Sequence, residues 1–91
     1  MSKILEGYAA YIDESIRDNF ATRGIDYAIH TLIESEYGAG VLVYDATLVA
    51  DFEHVANADD VKAAIGRMCA AGALVACRER EHAAVMIPQA N

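Results

Sequence analysis

Residues 56–88, ANADDVKAAIGRMCAAGALVACREREHAAVMIP, constrain the chain more than any other stretch. Val61, Ile65, Met68 and Cys69 recur at helical spacing and share one face, while Asp60, Lys62, Ala63, Gly66, Arg67 and Ala70 surround the other. Asn57 or Asp59 is placed to cap this helix, because a short polar side chain before the first apolar position accepts otherwise unpaired N–H groups. Gly72 is placed to end it. Two β-prone runs follow, Ala73–Cys77 and Ala83–Ile87, around a charged tip, Arg78–His82. Pro88 closes the second run, since it has no N–H to give to a ladder. A helix that stops on glycine and runs straight into a hairpin leaves few architectures open, and its apolar face needs other helices to cover it.

The upstream residues provide those helices. From Ser2 to Phe20, apolar residues fall at Ile4, Leu5, Tyr8, Ile12, Ile16 and Phe20, a repeat of four that predicts an amphipathic helix. Ala21–Gly24 reads as a polar break. Ile25, Ala28, Ile29, Leu32, Ile33 and Tyr37 predict a second helix over 25–37, stopped by Gly38-Ala39-Gly40. Val41–Tyr44 is a short β-prone run. Asp45 is a good N-cap for a third helix over 46–55, with Leu48, Val49, Phe52 and Val55 as its buried stripe.

Taken in order, helix, short strand, helix, turn, helix, glycine and hairpin resemble the winged helix-turn-helix superfamily. The closest match is Val61–Val75, VKAAIGRMCAAGALV, which resembles a recognition helix running into its wing: Ile65 and Met68 stand at the two apolar positions, Gly72 at the stop and Leu74-Val75 at the start of the strand. The resemblance covers residues 25–88. It implies an α+β fold, a single domain over residues 1–91, with residues 2–20 as an additional N-terminal helix and a two-stranded C-terminal wing. In relatives that bind DNA, the helix at 60–71 would enter the major groove. On that reading DNA would be met by Asn57, Lys62, Arg67, Arg78 and Arg80, and the protein would act as a dimeric transcription regulator.

The charges favour a different partner. The chain has 14 acidic and 7 basic residues and a net charge of −7. Residues 25–44 carry Asp26, Glu34 and Glu36 with no base, and residues 45–67 set five acids against Lys62 and Arg67. Only residues 68–91 balance, Arg78 and Arg80 against Glu79 and Glu81. DNA-binding surfaces are basic because phosphate contacts supply much of their affinity. An acidic surface repels phosphate and attracts a basic protein. Asp45, Asp51, Glu53, Asp59 and Asp60 are therefore the expected contacts to a basic, nucleic-acid-binding partner that the chain regulates or inhibits. In size and charge the chain looks like small acidic phage-encoded inhibitors, anti-CRISPR proteins among them. Tyr8 and Tyr11, on the first helix, are the candidates for a partner or homodimer contact, since tyrosine is apolar in its body and polar at its tip.

Other chemistry is poorly supplied. Ser2, Ser15 and Ser35 lie in no nucleophile context, and Cys69 lacks the electropositive setting of a reactive thiol. No enzyme activity and no cofactor are expected. His30, His54 and His82 fall on three different elements, without the pair spacing of a metal site. Cys69 and Cys77 read as small buried thiols in a reducing compartment. The uncharged runs are far too short to span a membrane, and Glu6 and Gly7 come too early for a secretory signal, so a cytoplasmic location is expected. The 55% hydrophobic composition excludes a disordered chain and leaves apolar surface for a partner.

Overall fold

In a computed structural model of the chain, residues 14–89 are described. They form an α+β unit of four helices and a three-stranded antiparallel sheet. The part of the expected first helix that precedes residue 14, with Tyr8 and Tyr11, lies outside the described residues.

Helix α1 runs over residues 14–23, so the polar break is confined to Gly24, whose φ of 91° ends the helix. Thr22 belongs to α1, its hydroxyl donating to the Asp18 carbonyl at 2.8 Å. Helix α2 spans Ile25–Leu32 and buries Ala28, Ile29 and Leu32. The expected continuation to Tyr37 exists but is wound differently: Ile33–Tyr37 is a π-helical turn, closed by the Gly38 N–H donating to the Ile33 carbonyl at 2.7 Å. This wider turn carries Tyr37 to Asp51, and the phenol donates to Asp51 Oδ2 at 3.0 Å. Single π turns of this kind are rare and occur mostly as bulges within α-helices.

Strand β1 is Val43–Tyr44, and helix α3 follows at once as Asp45–Asp51. The expected cap at Asp45 is not made. Tyr44 holds the cap position with extended backbone, and Asp45 is the first residue of the helix. Helix α3 is also shorter than expected, because the chain turns over Phe52–Ala56 with Phe52 fully buried as its anchor. Helix α4 is Ala58–Ala70. Asn57 caps it, its Oδ1 accepting the Asp60 N–H at 2.8 Å. Val61, Ala64, Ile65 and Met68 are buried on α4, while Cys69 is only half-buried at the core margin. Gly72, at φ 83°, turns the chain out of the helix, a conformation that glycine adopts without a Cβ clash.

Strands β2, Val75–Glu79, and β3, His82–Met86, form the hairpin. The expected five-residue tip is a two-residue turn, Arg80-Glu81, with φ of 51° and 70°. Arg78, Glu79 and His82 consequently stand in paired strands, Arg78 opposite Ala83 and Glu79 opposite His82. The sheet order is β1-β3-β2, with Val43 opposite Val85 and Tyr44 opposite Ala84. The hairpin is thus joined by a third strand.

The core draws on every element except β2: Ile16 of α1, Ile29 and Leu32 of α2, Ile33 of the π turn, Val43 of β1, Leu48 of α3, Val61, Ile65 and Met68 of α4, and Val85 of β3. Phe52, Leu74 and Ile87 contribute from the connections. Burial of these apolar side chains is the principal force holding the helices on the sheet.

Candidate interaction surface

The five acids expected to meet a partner fall into two groups. Asp45 and Asp51 are partly withdrawn. Burial pushes the Asp51 carboxyl above its ordinary value, and the Tyr37 hydroxyl works against that rise. Burial likewise raises the Asp45 carboxyl, opposed by the nearby charge of Lys62. Asp45 Oδ1 is buried and has no hydrogen-bond partner among the described residues.

Glu53, Asp59 and Asp60 are exposed. They come from one continuous segment, the turn after Phe52 and the first turn of α4, which contains no lysine or arginine. Phe52 fixes the start of this segment and the Asn57 cap fixes its end, so the three carboxylates ride on a well-anchored turn. Glu53 Oε1 lies 3.4 Å from His54 Nε2, and both side chains are about two-thirds exposed, at 65% and 67%. Asp59 and Asp60 sit where the helix dipole favours negative charge.

The residues expected to meet DNA are dispersed. Arg67 makes a two-point ion pair with Asp26 of α2, at 2.6 Å from Nη2 to Oδ1 and 3.2 Å from Nε to Oδ2. This pair ties α4 to α2 and neutralises one base of the helix, although both side chains stay exposed, at 56% and 42%. Asn57 uses its carbonyl oxygen as the helix cap. Lys62 and Arg78 line one open groove of about 540 Å³ between α4 and the hairpin, together with Ile65, Gly66, Cys77 and Ala84. Arg78 is in part committed within the hairpin, its Nη1 donating to the Glu81 carbonyl at 3.1 Å. Arg80 lies elsewhere, at the turn, beside a second groove lined by Tyr44, Thr47 and His82.

Cys69 and Cys77 are free and half-buried, and both border the α4–hairpin groove. Burial raises the Cys69 thiol, with the charges of Asp45 and Cys77 adding to the rise, so the nucleophilic thiolate is disfavoured there. Among the described residues no three or more His, Cys, Asp or Glu side chains are grouped to hold a metal ion. No helix among them is long and apolar enough to cross a membrane.

Two contacts have no local sequence signal. Arg67 and Asp26 are 41 residues apart, and Tyr37 and Asp51 are 14 apart. Each pairing is set by how the helices pack. Comparison with protein-family models, with curated proteins and with solved structures returned no match.

Proposed function

We propose that the chain is a winged-helix interaction module whose acidic turn, Glu53 to Asp60, binds a basic patch on a nucleic-acid-binding protein and thereby regulates or inhibits it. The winged-helix reading is supported by the order of elements and by the sheet order β1-β3-β2, in which a short strand ahead of the helical pair joins the C-terminal hairpin. The partner reading is carried by one observation: Glu53, Asp59 and Asp60 are exposed on an anchored turn, while Arg67, a base on the same helix, is bound to Asp26. Carboxylates held this way offer arginine and lysine the same charge-assisted hydrogen bonds as phosphate. A chain so equipped competes with nucleic acid for its partner, as a small phage-type inhibitor such as an anti-CRISPR protein would.

The test is a panel of purified basic nucleic-acid-binding proteins, probed against the wild type and against Glu53→Gln/Asp59→Asn/Asp60→Asn. The expected result is binding that weakens with salt and drops about tenfold or more in the triple variant, as loss of close charge pairs requires. Binding indifferent to the three substitutions would refute the assignment.

A second reading, a DNA-binding regulator, is favoured by Lys62 and Arg78 bordering one groove. It requires duplex DNA to bind at low salt, with each of Lys62→Ala and Arg78→Ala lowering the salt slope by about one.

A further inference from the structure

Three charged side chains, Asp45, Lys62 and Arg78, meet at the groove between α4 and the hairpin. Small residues keep that groove open. Direct partners across antiparallel strands share a face, and so do residues two apart on one strand. Arg78, Ala83 and Ala76 therefore lie on the side of the hairpin that Val85 turns to the core. Ala76 and Ala83 are small and exposed, so the hairpin leaves room there instead of packing on α4. On α4, Gly66 stands one turn after Lys62, and a Cβ at that position would meet nothing within 4 Å. The open space of about 540 Å³ is in the range of small-molecule sites.

Asp45 reaches the groove from the start of α3. Its Oδ1 is buried and has no hydrogen-bond partner among the described residues, which is unfavourable until a donor is supplied. The terminal torsion of aspartate is broad, so the carboxylate can turn either oxygen to a donor in the groove. Lys62 is near enough for its charge to lower the Asp45 carboxyl. Lys62 and Arg78 are both exposed. Arg78 uses Nη1 on the Glu81 carbonyl, which leaves its other guanidinium donors for an anion. In a chain of net charge −7, the groove thus offers two cations and one acceptor between apolar walls.

We infer that this groove binds a free dicarboxylic amino acid, aspartate or glutamate, with its ammonium on Asp45 and its two carboxylates on Lys62 and Arg78. Two cations and one anion on the protein meet two anions and one cation on the ligand, so every charge is paired. The planar guanidinium fork suits a carboxylate. No aromatic ring lines the groove, so a nucleotide base has nothing to stack on. A nucleic-acid backbone brings phosphates and no donor for Asp45, and an acidic residue inside a peptide lacks the ammonium. The site is separate from the acidic turn at Glu53–Asp60 and stands whether or not that turn binds a protein.

Titration of the full chain with L-glutamate and L-aspartate at low ionic strength, followed by amide NMR shifts, tests this. A ligand of about ten non-hydrogen atoms in an open groove is expected to bind with a dissociation constant on the order of 100 μM to 1 mM. The shifts are expected at Asp45, Lys62, Gly66 and Arg78. Gly66→Leu has space for its Cβ and raises helix propensity, so it folds, while its side chain blocks the groove and binding is lost. Lys62→Gln and Arg78→Gln each weaken binding about tenfold. Glutarate, which lacks the ammonium, binds the wild type about tenfold more weakly than glutamate, and that difference vanishes in Asp45→Asn. No shift in the groove at ~10 mM of either amino acid, glutarate binding as tightly as glutamate, or unaltered binding in Gly66→Leu would overturn the inference.

Discussion

The hairpin turn offers a sharp quantitative test. Arg80 and Glu81 both adopt positive φ, at 51° and 70°. Turns of this type favour Asn-Gly or Asp-Gly, because both central residues need the left-handed region. An L-residue there costs roughly 1–2 kcal/mol, from the approach of Cβ to the following carbonyl oxygen. Replacing Glu81 by Gly removes that cost at the second position. Against it stands the greater freedom of glycine in the unfolded chain, about 0.4–1 kcal/mol. The difference is a stabilisation of about 1 kcal/mol, which for a domain of this size raises Tm by about 5 °C. The Arg78 guanidinium is unaffected, since it donates to the backbone carbonyl of Glu81 and not to its side chain. Glu81→Val goes the other way, because a β-branched residue is least tolerated at positive φ. Thermal melts followed by circular dichroism, with urea titrations to check that the m-value is unchanged, measure both. If Glu81→Gly leaves Tm unchanged or lowers it, or if Val melts no lower than Gly, the assignment of strain to this turn is wrong.

Two other predictions follow from the helix ends. Asn57→Ala removes the side-chain cap of α4 and costs about 1 kcal/mol, while Asn57→Ser restores most of it, both read from urea midpoints. Asp51 is raised above its ordinary value of 3.8 by burial, so the folded state holds its proton more tightly than the unfolded one. Its stabilising contribution is complete below 3.8 and is lost as pH rises through the raised folded value, so acidification from neutrality strengthens the fold through this group. In Asp51→Asn that part of the pH dependence disappears, so on going from neutral to mildly acidic pH the urea midpoint shifts to a lower value than the wild type's shift would give.

Much of the scaffold was legible because apolar residues recur at the helical period. Ile16, Ile29, Leu32, Val61, Ile65 and Met68 were expected inward and are buried. The apolar hairpin runs around Gly72 and Pro88 were legible for the same reason. The misreadings have local causes. Without Gly, Asn or Asp at its centre, the charged run Arg78–His82 looked like a broad tip, yet strand pairing extends through Glu79 and His82 and forces Arg80 and Glu81 into the turn. Asp45 looked like a cap because its residue type suits one, but β1 delivers Tyr44 in extended conformation directly before the helix. Nothing in the pattern of Ile33–Tyr37 announces a π turn, and the bond from Tyr37 to Asp51 that accompanies it joins residues 14 apart. At the surface, sequence alone grouped five acids that burial divides, because exposure depends on which side of α3 packs on the core.

The sheet order carries a consequence for how the chain assembles. β3 is the central strand and the last of the described elements, so β1 and β2 each find their only partner in it. Val43 must await Val85, 42 residues further along the chain. Closing so long a loop is entropically expensive and slow compared with helix pairing. The β1–β3 ladder is therefore the late event, whereas the β2–β3 hairpin closes locally through its two-residue turn; damage at Ala84 or Val85, which pair with both neighbours, weakens both ladders together.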